Sequence, residues 1–197
     1  AWAQFPVLAQ ENGSDVSKVT VEPVGFPTRE PMLAEGKVDS VTGFSFSSYL
    51  NAVRLGVPED DLTTILMADH GVALYGNALI VNTDYADSNP EIVKGFVAAV
   101  AKGWKDAIAD PEAGAKAVIA RNPAGDVALE TRRLLLAIDA NVVTDYTIAN
   151  GMGSIDADRM AKALEQLAIT YEFKNAPDMS LYFTDAYLPN ASMRMVK

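Results

Sequence analysis

The chain has 197 residues, a net charge of −10 at pH 7 and no cysteine, and apolar residues make up 49% of it. This composition is ordinary for a globular chain that buries a core. The acidic charge argues against nucleic acid or an anionic membrane surface as a partner, and the absence of cysteine excludes disulfides and a cysteine nucleophile.

The first 76 residues predict alternating helices and strands. A helix is predicted over the first residues and ends at Asn12-Gly13. Thr28 is the expected N-cap of the next helix, which has Pro31 in its first turn and stops at Gly36. A further helix runs from Tyr49 to Gly56. Alternating or β-branched apolar residues predict strands over 18–24, 38–42, 62–68 and 74–82.

After Thr83 the pattern becomes helical. The run Ser88-Asn-Pro-Glu91 is typical of a helix start, with a cap residue, a proline at the first position and an acid near the helix dipole. Three more helices are expected to begin near Asp110, Asp126 and either Ser154 or Asp156. Four such helices could form a bundle or could cover a sheet. With the strands of the first part, the order predicts an α/β fold with a largely parallel sheet.

The candidate binding residues follow the predicted strands. Ligands of open α/β sheets bind beyond the carboxyl ends of the strands. The segment after strand 38–42 mixes two aromatic rings with hydroxyl groups and a glycine that permits close approach, which is the composition of a ligand pocket. These residues are Thr42, Gly43, Phe44, Ser45 and Phe46. Each ring is equally compatible with a place in the core.

Four further residues are candidates by their position at strand ends. Arg29 follows the first strand and could clamp an anion with two hydrogen bonds, or it could be a solvated arginine. His70 follows the third strand, although a single histidine in a loop is more often a structural hydrogen bonder. Tyr75 and Asn77 flank Gly76 in the fourth strand, where hinge and pocket roles are possible.

Signals for catalysis, cofactors and metals are poor. No nucleophile elbow, phosphate loop or dinucleotide fingerprint is present. The acidic turn Glu59-Asp60-Asp61 could supply metal oxygens, but such turns are usually solvated. The residues therefore predict a protein that is not an enzyme and that needs no cofactor or metal.

Three segments resemble periplasmic solute-binding proteins of ABC importers, most closely the nitrate, sulfonate, taurine and thiamine-pyrimidine type. They are Met32-Leu-Ala-Glu-Gly-Lys-Val-Asp39, Leu74-Tyr-Gly-Asn-Ala-Leu-Ile-Val-Asn82 and Asn89-Pro-Glu-Ile-Val-Lys94. The resemblance implies a two-lobe, type II architecture. Residues 1–76 would form the second lobe, and residues 77–197 a hinge strand and a return to the first lobe. The family's N-terminal segment is expected to be missing.

The resemblance also implies a function. A small anionic or heteroaromatic solute would be captured between two lobes and delivered to a permease, by a monomer that is periplasmic or tethered outside the membrane. Two alternatives share a similar fold: a thiamine-pyrimidine biosynthesis enzyme and the ligand-sensing domain of a transcription regulator. The enzyme is expected to need cysteine and histidine chemistry, and the regulator a basic helix-turn-helix.

Overall fold

The computed structural model describes residues 2–175 and 177–197. In this part of the chain it contains ten α-helices. They are α1 (Phe5–Glu11), α2 (Phe26–Ala34), α3 (Ser45–Arg54), α4 (Thr83–Ser88), α5 (Pro90–Ala109), α6 (Pro111–Ile119), α7 (Val127–Ala137), α8 (Asp145–Asn150), α9 (Ala157–Leu167) and α10 (Ala191–Arg194). A π-helical turn, Ile138–Val142, extends α7.

Helices α5, α6, α7 and α9 begin at the residues that local chemistry predicts. The Asp110 and Asp126 carboxylates accept hydrogen bonds from the Ala113 and Leu129 amides at 3.0 and 2.8 Å. Asp156, rather than Ser154, caps α9. Such caps satisfy amides that have no partner within the helix. The start predicted within Ser88–Glu91 is found, because Asn89 precedes α5 and Pro90 is its first residue, while Ser88 ends the short helix α4.

The predicted α/β fold is wrong for the described residues. None of the segments 18–24, 38–42, 62–68 and 74–82 forms a strand, and residues 67–70 form a 3₁₀ turn instead. The two-lobe, type II architecture built on these strands is overturned with them. Some residues of these segments are nevertheless extended, among them Val19 (φ −103°, ψ 122°) and Leu62 (φ −102°, ψ 121°).

The missing strands have a physical reason. Alternating apolar residues favour extended dihedral angles, but a strand exists only when its amides and carbonyls bond to a neighbouring strand. Most backbone hydrogen bonds between described residues belong to helices, caps and turns, and the Met152 amide donates to the distant Arg194 carbonyl at 2.9 Å, but none of these bonds forms a ladder. The alternation of apolar residues thus favoured an extended conformation, but it could not show whether a neighbouring strand would bond to the segment.

The chain forms two compact units. Unit 1 contains Ala1–Tyr75 and Asp156–Pro177, and unit 2 contains Gly76–Ile155 and Asp178–Lys197. The chain first passes from unit 1 to unit 2 between Tyr75 and Gly76. The segment that carries α9 belongs to unit 1, although the sequence placed it in the second domain. The predicted domain bounds, residues 1–76 and 77–197, stay a prediction.

Unit 1 has a small core built from helices and the loops between them. Val7 and Leu50 are each 1% exposed, and Ala163 of α9 is also buried. α2 packs against α3. The Thr170 hydroxyl donates to the Ala3 carbonyl at 2.9 Å, which ties the residues after α9 to the start of the chain.

Unit 2 is built around α5, α6 and α7. The three helices pack closely at Gly114, where an added Cβ would lie 2.9 Å from a Leu134 methyl group and 3.2 Å from the Ala107 side chain. Ile92 and Phe96 of α5 remain more than half exposed. Among the described residues, the helices are all too short or too polar to cross a lipid bilayer.

Candidate functional site

The predicted site begins on helix α2, which carries Arg29. α2 starts after Gly25, so the expected N-cap Thr28 lies inside the helix, and Pro27 occupies the first turn instead of Pro31. Proline suits that turn because its fixed φ is helical and its missing amide proton has no partner there. The earlier start turns Arg29 and Glu30 towards α3.

Arg29 forms a buried ion pair with its neighbour Glu30. The Arg29 Nε atom donates to Glu30 Oε1 at 3.1 Å, and Nη2 donates to the same oxygen. Glu30 is only 3% exposed. Burial alone raises the pKa of Glu30, but hydrogen bonds from Arg29 and Ser48 and the guanidinium charge outweigh it, so this pKa lies below its usual value.

The same guanidinium also holds the next segment of the site. Arg29 Nη1 donates to the Thr42 carbonyl at 2.8 Å, and Nη2 donates to the buried Ser48 hydroxyl at 2.8 Å. A Cβ added to Gly43 would lie 2.0 Å from Ser48 Oγ and 3.0 Å from Arg29 Nη2. Gly43 is therefore needed for this packing, whereas the sequence suggested that it leaves room for a ligand.

Beyond Gly43 the two predicted rings form an exposed pair. We call residues Thr42–Phe46 the aromatic turn. Phe44 stacks on Phe46, with ring centroids 5.2 Å apart and ring planes 17° from parallel. Phe44 is 52% exposed, so its reading as a core residue is wrong, and Phe46 is half-buried. Ser45 begins α3 and is half-buried.

The structure thus brings six of the nine predicted residues together and leaves three elsewhere. The exposed His70 contributes its backbone carbonyl, which accepts from Asn12 Nδ2 at 2.9 Å. The Tyr75 hydroxyl accepts from the Asp156 amide at 2.9 Å, and its ring lies 4.3 Å from the Arg159 guanidinium. Asn77 is exposed and belongs to unit 2.

Tyr75 ends a second segment, Gly71–Tyr75, which α9 secures. The buried Gln166 side chain accepts from the Ala73 amide and donates to the Gly71 carbonyl and to Glu11, each at 2.8 Å. Arg159 donates to the Ala73 and Leu74 carbonyls at 2.8 and 3.0 Å. We call Gln166 and Arg159 the α9 clasp. It satisfies backbone groups that a neighbouring strand would otherwise satisfy.

Sequence reasoning missed the residues that support both segments: Glu30, Ser48, Arg159 and Gln166. Glu30 stands beside Arg29, and Ser48 lies one helical turn after Phe44, but neither position carries a local signal. Gln166 and Gly71 are 95 residues apart. Only an observed contact could identify these partners.

One cavity of unit 1 lies between α2 and α3 and has a volume of about 310 Å³. It is lined by Phe26, Pro27, Glu30, Pro31, Asn51, Arg54 and Leu55, so none of the nine predicted residues contributes to it. A second cavity of about 270 Å³ lies beside Arg159 and Gly71. Among the described residues no group of His, Asp or Glu side chains could hold a metal ion.

Comparison with known proteins places the chain in a family. A family model described as "NMT1/THI5 like" matches residues 2–114. The chain belongs to this family. The predicted resemblance to nitrate, sulfonate and thiamine-pyrimidine type solute-binding proteins is therefore confirmed.

One curated relative is the riboflavin-binding protein RibY of Chloroflexus aurantiacus. It is 25% identical over 183 residues, which are 91% of this chain and 50% of that protein. The chain thus spans about half the length of the curated relative that it matches. Because the match covers 91% of the chain, it includes the aromatic turn and continues beyond residue 114.

Proposed function

We propose that this chain is part of a solute-binding protein whose ligand is a small planar heteroaromatic molecule. The observation that carries the proposal is the exposed Phe44 ring, stacked on Phe46 at the start of α3. Because Phe46 holds the Phe44 ring in place, the exposed part of the Phe44 ring offers a surface on which a flat ligand can stack. Family membership and a relative whose name states riboflavin binding support the same role.

The contacts of Arg29 favour a ring over a small inorganic anion. Its guanidinium already donates to Glu30, Thr42 and Ser48. An anion would have to replace the buried Glu30 carboxylate, which would leave that charge without its partner. A nitrate-like or sulfonate ligand is therefore the weaker form of the proposal at this turn.

The hydroxyl and amide groups of the aromatic turn would orient the ligand. Ser45 and the extended backbone at Phe44 (φ −78°, ψ 130°) lie directly beside the rings. Pockets combine apolar walls with a few such polar groups. By the family's role we also propose that the protein acts as a monomer outside the cytoplasmic membrane and passes its solute unchanged to an ABC permease.

A ligand panel tests the proposal. Riboflavin, a thiamine-type pyrimidine, taurine and nitrate are each titrated into the purified protein, and melting temperature and dissociation constant are measured. Binding to the native state alone adds about 2.7 kcal/mol of stability at a hundredfold excess over Kd. We expect a flavin or pyrimidine to bind and to be recovered intact by chromatography.

Two results would contradict the proposal. Preferential binding of taurine or nitrate would show that the ligand is a small anion and not a heteroaromatic molecule. Conversion of the bound solute by the purified protein would favour the enzyme alternative. Uptake of the labelled solute by vesicles that contain a candidate permease tests the transport step, with protein-free vesicles as the control.

A further inference from the structure

The open cavity between α2 and α3 includes no residue of the aromatic turn and combines apolar with charged side chains. Its apolar wall consists of Phe26, Pro27, Pro31 and Leu55. Phe26 is 78% exposed and Leu55 is 49% exposed. A volume of about 310 Å³ lies at the lower end of ligand pockets, which span roughly 300–1,000 Å³. The cavity thus suits a ligand with one ring.

The charges around the cavity select the kind of ligand. Glu30 and Arg54 are the two ionisable residues that line it. The Glu30 charge is compensated by the Arg29 guanidinium, which also lies 5.4 Å from the Phe26 ring. Arg54 has no ion pair or side-chain hydrogen bond among the described residues. The cavity therefore carries one uncompensated positive charge in a chain of net charge −10.

Arg54 and Asn51 lie one turn apart on α3 and both line the cavity. Side chains three residues apart on a helix are neighbours. A guanidinium pairs with a carboxylate through two parallel hydrogen bonds, and an amide can donate to the same group. The apolar wall would then contact an aromatic ring of the ligand, while Arg54 and Asn51 bind its carboxylate.

We propose that this cavity, which we call the α2–α3 groove, binds small aromatic carboxylates. The ring lies against Phe26 and the prolines, and the carboxylate pairs with Arg54 and Asn51. No residue of the aromatic turn lines this groove, although Glu30, which does, also pairs with the Arg29 that holds the turn.

The test uses benzoate as the anionic probe and benzamide as its neutral isostere. Each is titrated into the purified protein while backbone amide shifts are followed by NMR. We expect benzoate to shift amides within 26–31 and 51–55, and to bind at least fivefold more tightly than benzamide. The aromatic-turn solute should leave the amides within 51–55 unchanged, so the two proposals can fail separately.

Variants identify the groups responsible. Arg54→Gln should weaken benzoate at least fivefold and leave benzamide within twofold, whereas Phe26→Ala should weaken both probes. Arg121→Gln, an exposed arginine of unit 2, is the matched control and should change neither. Equal affinity of benzoate for the protein and for Arg54→Gln would overturn the proposal. So would shifts confined to residues outside the groove, or no shifts at all.

Discussion

Two segments of unit 1 are secured by side chains of neighbouring helices, and the difference between them separates a candidate binding surface from a structural support. The aromatic turn is held at one carbonyl, that of Thr42, by an arginine whose charge is balanced by the buried Glu30. The segment Gly71–Tyr75 is held at four backbone groups by the α9 clasp. The first arrangement leaves rings exposed, and the second leaves little of its backbone free to bind anything.

This contrast shows that side chains can replace part of a sheet. A backbone amide or carbonyl that is shielded from water needs a partner, but that partner can be any donor or acceptor. Gln166 supplies one acceptor and a donor group that bridges two oxygens, which suits a segment without a neighbouring strand. The experiments that follow test this contrast.

The largest effect is expected for Arg29→Met. The substitution leaves Glu30 charged and buried without a cation, and breaking such pairs costs about 3–5 kcal/mol. Denaturant unfolding measures the loss, with the exposed Arg121→Met as control. Adding Glu30→Leu should restore much of the stability, because the uncompensated charge is then gone. A loss below about 1 kcal/mol would show that the pair does not secure the turn.

The next effect is expected for Gln166→Ala. The Ala73 amide and the Gly71 carbonyl lose their partner, and each unsatisfied shielded group costs about 1–3 kcal/mol. Denaturant unfolding should show a loss of about 2 kcal/mol, with affinity for the solute unchanged. Glu165→Ala, on the exposed side of α9, is the control. A loss of affinity without a loss of stability would assign the clasp a binding role.

Phe44→Ala should act on binding rather than on stability. Removing a ring that stacks on the ligand costs about 1–3 kcal/mol of affinity. The ring is 52% exposed, so we expect less than about 1 kcal/mol of lost stability. Calorimetric titration and thermal melting measure the two quantities, with Phe173→Ala as an exposed control in the same unit. Unchanged affinity would remove Phe44 from the site.

The smallest effect is a pH dependence from Glu30. Its pKa is lower in the folded state, so its contribution to stability is present above the ordinary glutamate pKa of about 4.3 and is lost as pH falls through the folded value. Burial partly offsets the hydrogen bonds, which keeps the effect small. Between pH 7 and pH 3, the free energy of unfolding should fall less for Glu30→Gln than for the unsubstituted protein. Parallel curves for the two proteins would exclude this contribution.

Local chemistry determined several features of this protein from the sequence. Asp110 and Asp126 start helices because their carboxylates satisfy nearby amides, and Gly36 follows the end of α2 with φ of +66°. The neighbours Thr42, Gly43, Phe44, Ser45 and Phe46 were placed together correctly because they are adjacent in the chain. The family resemblance also depended only on short segments and their order.

Tertiary structure decided everything that depended on a distant partner. Four segments with strand-like patterns remain unpaired, since pairing depends on a second segment and not on alternation alone. Arg29 proved to be a partner of Glu30, Thr42 and Ser48, and Tyr75 a partner of Asp156, because each donor or acceptor bonds the group that packing brings near it. Residue type and spacing describe what a side chain can bind, and the fold selects which partner it meets.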